Sequence, residues 1–435
     1  MKRRAFLGVG LGMAAGGTVL RGPRSATAQS AGPLLNELTV ASAPGVTARE
    51  IRIGMSAAFK GTAAALGTEV HRGAQAYYSQ VNARGGVHGR LIRVIALDDG
   101  GEPLPCVQNT VQLVEKEQVF FLSNYVGTPT LTRALPVIKR YADQQLLLVG
   151  NVSGAQPPRE PPYAEQVFSM RASDRQEAAA LVERFWQRGA RKFAVFYQID
   201  EAGRSGADGV ARALARHGAH PVAEATHHRG ARFDQDMRVP VSAVREGGAE
   251  VVLCAGAYQG CGAFVRSARD AGFTAPIASL SLVGADAMLR LLVAHGKGAG
   301  RDYTRALISS QVVPSYDDSQ LAALAEYRTL VDRHRPVLPE GLRDATYEAE
   351  KHSFLGVEGF VNAKIIVEAL RRAGPNPTRA GFKTALESLR SFDVGIGSPV
   401  ELGPQRHQGL DGVYFTRVHG ERWVPITDWS VALRA

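Results

Sequence analysis

Residues 119–133 read VFFLSNYVGTPTLTR. Four apolar residues, Val119-Phe120-Phe121-Leu122, give way abruptly to small and hydroxyl side chains. A helical spacing of Leu131, Leu135 and Ile138 then begins near Thr130. A short apolar run bounded by turn residues predicts a buried strand, and the longer period after it predicts a helix. A strand that ends in Gly and Thr at a helix start gathers backbone amides at a point where an anion can sit. The stretch thus predicts a strand–turn–helix unit with its chemistry at the turn.

Outward from it the same unit recurs. Strands are predicted at residues 51–55, 91–97 and 146–149, and helices at 64–82 and 105–117. A Pro-rich break at 156–162 follows, and the alternation then restarts. Extended segments are predicted at 168–170, 193–197, 222–225, 251–254 and 277–280, with helices at 176–188, 206–217, 234–245 and 261–271. Such alternation predicts an α/β fold with parallel sheets and crossover helices, and two successive series predict two lobes of similar construction. The third section behaves differently, with an extended piece at 306–313, helices at 319–334, 350–373 and 378–389, and strand-like pieces near 400–402, 413–415 and 423–424. That tail has too little core for a domain of its own, so it is expected to complete the lobes already built.

A chain of 435 residues, 45% hydrophobic and 21% charged, has the composition of a soluble globular protein of two or three domains. Its first residues are a case apart. Lys2-Arg3-Arg4, a Gly/Ala-rich apolar run to Leu20 and Ala26-Thr27-Ala28 form the pattern of a twin-arginine export signal over residues 1–28. The run is too short and too rich in glycine for a membrane span. No cysteine follows the cleavage site to carry a lipid. A flexible entry over 29–48 and a free, soluble periplasmic protein are the expectation. Cleavage removes five Lys or Arg and no acid, so the formal charge falls from +10 to +5. The remaining cations are scattered, which argues against nucleic acid as a partner.

Catalytic signatures are missing: there is no G-x-S-x-G, H-E-x-x-H, P-loop or C-x-x-C. His227-His228 would face opposite ways on a strand with no third ligand nearby, and Asp98-Asp99 has the character of loop capping. Neither catalytic residues, metal nor cofactor is expected. Cys106, Cys254 and Cys261 are an odd count, which in an oxidising compartment leaves at least one thiol free. Cys254 and Cys261 can pair only if a strand end and the next helix bring them together; the favoured reading is buried small hydrophobes.

Several stretches together resemble one family. They are residues 81–90 (VNARGGVHGR), Asp98-Asp99, residues 125–130 (YVGTPT), Phe196-Tyr197-Gln198, residues 310–314 (SQVVP), Glu358-Gly359-Phe360 and residues 367–374 (VEALRRAG). Their order and spacing resemble the type I periplasmic substrate-binding proteins of branched-chain amino acid ABC transporters, over nearly the whole mature chain. The resemblance implies two Rossmann-like lobes joined by three hinge crossings, near Tyr163, Pro314 and Asp393. Residues 49–163 and 314–392 would then form lobe one, and 164–313 and 393–435 lobe two.

The resemblance also implies a ligand in the cleft between the lobes, gripped by hinge closure. In lobe one it points to Phe59 as an apolar wall, to Asn124, Tyr125, Gly127 and Thr128 in one loop, and to Ser153 and Gly154 in another. In lobe two it points to Tyr197, Asp200, Tyr258 and Gln259. Amino-acid binders of the family place an acid in the lobe-two loop that here reads SLSLVGA over 279–285. A bare ammonium is costly to desolvate, so a carboxylate, amide or aromatic acid is favoured, with Asp200 as the one acid that could hold an amine. The function implied is a non-catalytic receptor, expected to be a monomer, that presents its small-molecule ligand to an inner-membrane ABC permease. The alternatives are a ligand-sensing receptor domain of the same fold and a two-lobed α/β enzyme such as a glycosyl transferase.

Overall fold

The computed structural model describes residues 43–432. The expected export leader and most of the entry segment lie outside the described residues. From Ala43 onward the chain is already part of the fold: Val46 is buried and bridges to Ile51, and Gly45 takes a positive φ against the backbone of Phe120.

The first sheet is built from β1 (Glu50–Ala57), β2 (Leu91–Asp98), β3 (Phe121–Ser123), β4 (Leu148–Val149) and β5 (Val167–Phe168). Its order is β2-β1-β3-β4-β5, and every pairing is parallel. The crossovers are α1 (Ala64–Ala83), α2 (Pro103–Val111) and α3 (Thr128–Arg140). Strand β3 is buried throughout, as its apolar run requires. The helix expected at 105–117 ends instead in a π-helical turn, Gln112–Lys116.

The second lobe begins with α4 (Asp174–Trp186), opened by a capping box of Ser173 and Gln176. It continues through β6 (Phe193–Gln198), α5 (Glu201–Ala215), β7 (Ala223–His227), α6 (Arg238–Glu246), β8 (Val251–Ala255), α7 (Tyr258–Asp270), β9 (Ile277–Ser279), α8 (Ala285–Ala299) and β10 (Leu307–Gln311). Helix α8 is not among the helices predicted from the sequence. It forms because Ala285, Met288, Leu289 and Leu292 make a buried stripe between left-handed glycine caps at 284 and 300.

The third section adds to both lobes. Helices α9 (Ala322–His334), α10 (Phe354–Ala373) and α11 (Arg379–Glu387) return to the first lobe, where α10 packs along α1. A short antiparallel ribbon, β11 (Phe392–Asp393) with β12 (Pro399–Val400), follows. Strands β13 (Tyr414–His419) and β14 (Arg422–Pro425) then join the second sheet, and α12 (Trp429–Ala432) follows. That sheet has the order β14-β13-β10-β9-β8-β6-β7, parallel from β7 to β10 and antiparallel at β13 and β14.

The crossings differ in position from those the resemblance implied. Strand β5 pairs with β4, so the chain leaves the first sheet after Phe168 and not near Tyr163. The chain joins the second sheet for the last time at Tyr414, well beyond Asp393, because residues 400–409 stay tied to Leu389 and Ser169.

Candidate functional site

A cavity of about 80 Å³ lies where loops of the two lobes meet. The first lobe supplies Ala58, Thr62 and Leu66 after β1, Gly101 and Glu102 after β2, and Val126 to Thr130 after β3. The second supplies Gln198 at the end of β6 and Asp200 after it, Arg229 after β7, Gly256 and Ala257 after β8, and Leu282 after β9. Every one of these loops leaves the carboxyl end of a parallel strand. In each sheet one strand, β1 or β6, has the next-built strands on opposite sides of it. Crossovers there depart in opposite directions and leave a crevice, which is where doubly wound sheets hold ligands.

The opening stretch forms the first-lobe wall. Gly127 sits at φ 107°, a conformation glycine adopts without strain, and serves as N-cap of α3. It has no side chain to satisfy the first amides of α3, so the helix start faces the cavity uncapped. The hydroxyls of Thr128 and Ser153 share a hydrogen bond of 2.8 Å. The Val126–Val152 bridge holds their two loops side by side. Ser153 therefore braces Thr128 from behind and does not itself line the cavity. Gly154 lies behind it too, packed against Asp174.

On the opposite wall Asp200 caps α5, accepting from the amides of Ala202 at 3.0 Å and Gly203 at 3.1 Å. Its other oxygen accepts from the Gln198 amide. The charge of Asp200 is thus largely committed to its own lobe. Arg229 reaches across the cleft and donates to Glu102 at 2.8 Å, an ion pair between the lobes at the cavity edge.

The remaining candidates lie away from the cavity. Phe59 is fully buried, edge-on to His71, while its amide donates to Asp98. Asn124 takes φ 53° and turns inward, where it accepts from Asn362 of α10. Tyr125 points into the first-lobe core, its hydroxyl 3.1 Å from that of Thr110. Tyr197 lies on the far face of β6 and donates to Glu224. Gln259 accepts from the Phe233 amide. Tyr258 is buried at the lobe boundary beside Ala65, and burial pushes its phenol up. The residues that reading missed on the walls, Glu102 and Arg229 above all, lie directly after β2 and β7. Their signal was positional: every loop at the carboxyl end of a strand beside the reversal point faces the crevice.

Behind the cavity, where the chain first crosses between lobes, lies a buried ionic cluster. Arg171 is fully buried and pairs with Glu177 of α4 at 3.2 Å and with Glu358 of α10 at 3.1 Å. It also donates to Ser281. Glu177 accepts from the amide of Ser281 at 2.8 Å and the hydroxyl of Ser310 at 2.6 Å. Burial raises Glu358, partly offset by Arg171, and burial together with Glu177 raises Asp174. Arg159 donates to the Ser153, Ala155 and Arg171 carbonyls and is lowered to about 10 by burial. The crossing is therefore pinned to both lobes by charges that cannot reach water.

The geometry is that of a small, mostly apolar cavity with an open helix start, hydroxyls, one amide and one interlobe ion pair. Among the described lining residues no nucleophile stands beside a general base. Comparison with known proteins gives the same picture. An amino acid binding protein from Pseudomonas aeruginosa is 26% identical over 246 residues, 55% of this chain and 63% of that protein. Leu/Ile/Val-binding protein homolog 3 from Brucella melitensis is 28% identical over 227 residues, 52% of this chain and 60% of that protein. The chain thus aligns with less than two thirds of the length of these curated relatives. Among solved structures, a possible leucine/isoleucine/valine-binding protein from Rhodopirellula baltica matches with a TM-score of 0.78 at 28% identity, over 89% of this chain and 98% of that one. The periplasmic binding protein family model matches residues 50–422, and with two parallel-sheet lobes around an interlobe cleft the chain belongs to that family.

Proposed function

We propose that the protein is a non-catalytic receptor, monomeric and exported to the periplasm, that binds a small solute between its lobes and delivers it to an inner-membrane ABC permease. The observation that carries this reading is the cavity itself, built jointly by strand-end loops of both lobes and bridged by Glu102 and Arg229. A ligand that touches both walls binds the closed arrangement more tightly than the open one, and so shifts the population towards closure. Among the described residues no helix is long and apolar enough to cross a membrane.

Gly127 and Thr128 hold the polar end of the ligand through the start of α3, with Gln198 and Asp200 facing them and Ala58, Leu66 and Leu282 against its apolar part. Loop 279–285 brings no acid to the cavity, and Asp200 is committed to its helix cap. A small carboxylate or amide is favoured for that reason, and the names of the relatives keep amino acids in the set. A thermal-shift screen of amino acids, short-chain and aromatic acids and amides tests the reading, since a ligand selective for the folded state raises the melting temperature. Thr128→Val is expected to weaken the best ligand by about tenfold, the scale of one lost hydrogen bond, in calorimetric titration. Unchanged affinity in that variant removes Thr128 from the site, and steady turnover of a hit sinks the receptor reading.

A further inference from the structure

Three groups that the cleft does not use meet beneath its second-lobe wall. Cys254 is the penultimate residue of β8 and stands opposite Phe196 of β6 in register. Its side chain falls in the core that α7 covers, together with Phe196, Phe264 and Cys261, while its strand neighbours Leu253 and Ala255 face the other side. Cys261 lies in the first turns of α7, and both thiols are buried. His227 ends β7 and stacks on Phe196 with ring centroids 5.0 Å apart, so it shares that face. Gly256 and Gly260 make room for its ring: a Cβ at either would come within 3 Å of it. Cys261 directly follows Gly260, which packs on the His227 ring, and shares one core with Cys254. His227 Nδ1 bonds the His228 carbonyl at 2.9 Å, which makes Nδ1 the protonated nitrogen. Nε2 is buried and has no hydrogen-bond partner among the described residues.

We propose that Cys254 and Cys261 are a built redox pair that closes to a disulfide when the chain folds in the presence of a disulfide oxidant, with His227 as proton acceptor. The chemistry is ordinary exchange. Cys261 passes its proton to His227 and as thiolate attacks one sulfur of an external disulfide such as oxidised glutathione, the external S–S bond breaks, and one glutathione thiolate leaves. Cys254 then gives its proton to the departed glutathione thiolate, attacks the Cys261 sulfur of the mixed disulfide, and expels the second glutathione, which takes the proton held by His227. Two protein thiols are oxidised and one external disulfide is reduced to two thiols. Contact with the Cys254 thiol and with His227 holds Cys261 below the usual thiol range, which suits it as the first attacker. The link pins the loop from Ala255 to Gly260, and with it the Gly256 and Ala257 part of the cavity wall.

The test uses the whole mature chain, reduced and unfolded, then refolded in a glutathione redox mixture and in reductant alone. Each sample is denatured with excess alkylating reagent, weighed intact and peptide-mapped. The expected result in the redox mixture is alkylation of Cys106 alone, a mass lower by two hydrogens, and a linked Cys254–Cys261 peptide. Its melting temperature falls when reductant is added, and Cys261→Ser shows no such fall. Three alkylated thiols after refolding in the mixture, or a link that involves Cys106, overturns the proposal. A parallel sample collected from the periplasm of an expressing cell decides export separately, so failure of the location reading leaves the refolding result intact.

Discussion

Arg171 has no exposed surface, and its charge is balanced by Glu177 in one lobe and Glu358 in the other. Removal of one partner from such a cluster strands the rest in a medium that cannot solvate them. Arg171→Ala is therefore expected to destabilise the protein by about 3–5 kcal/mol, read from the midpoint of urea denaturation. A loss near zero would mean that water reaches the carboxylates. At this scale the site was only partly legible. Gly127, Thr128 and Asp200 do line the cavity, and Gly and Thr at a strand end, and Asp before a helix, each have a chemical reason to be there. Phe59, Tyr125 and Tyr197 were misplaced because the face of a strand-end residue depends on where the two-residue alternation stops. Asn124 and Gly127, both at positive φ, reset that alternation within one loop. Phe59 was instead claimed by His71 and Tyr125 by the Thr110 hydroxyl, partners far off in sequence.

Helices α1 and α10 meet backbone to backbone. A Cβ on Gly73 would lie 1.8 Å from the Gly356 carbonyl oxygen, and one on Gly359 would lie 2.1 Å from that of Val70. Neither obstacle is a side chain that can turn aside, so the helices themselves must separate. Gly73→Ala is expected to cost at least the ~1–3 kcal/mol of an overpacked core, measured by thermal or urea unfolding. The loops that face each other across the cleft respond differently. Glu102 and Arg229 keep 54% and 34% of their side-chain surface in solvent, so their pair is screened. Glu102→Gln is expected to weaken ligand binding by no more than about 1 kcal/mol at low salt, and by less as added salt shortens the Debye length. Titrations at two ionic strengths check this, and a loss independent of salt would count against the pair as a closure contact. Elements were the most legible level of the fold, because strand–helix alternation is written in local periodicity. The loops after β2 and β7 were hidden by the absence of any residue type that marks a cleft.

At the scale of the molecule, the contact between α8 of the second lobe and the segment leading into α10 of the first carries a pH signature. Asp286 accepts from the Phe354 amide and the Tyr316 hydroxyl, yet burial, with Glu350 and Glu69 adding to it, raises its carboxyl from 3.8 to about 8. Glu350 rises to about 7, mainly through burial. For an acid whose pKa is higher in the folded state, folding takes up protons between the unfolded and folded values. The stability that protonation confers is thus fully present at low pH and is lost as pH rises through about 8. His71, lowered to about 4 by burial, works the other way below its ordinary value of 6.5. The melting temperature is therefore expected to rise as pH falls from 8 to 6.5, and Asp286→Asn to flatten that rise. A wild-type curve level across the window would refute it. The two-lobed plan was legible at this scale, while the crossing points were not, since they depend on which sheet accepts β5 and β13.

The late arrival of β13 has a consequence for how the molecule is made. Until residues 414–425 emerge, β10 is the outer strand of the second sheet, fully buried in the finished protein and with no partner on one side. A nascent or truncated chain would present that bare strand as a template for another copy, whereas the completed sheet ends in the short β14, which closes with Pro425. The C-terminal hairpin thus covers an edge of its sheet that a second copy could otherwise extend.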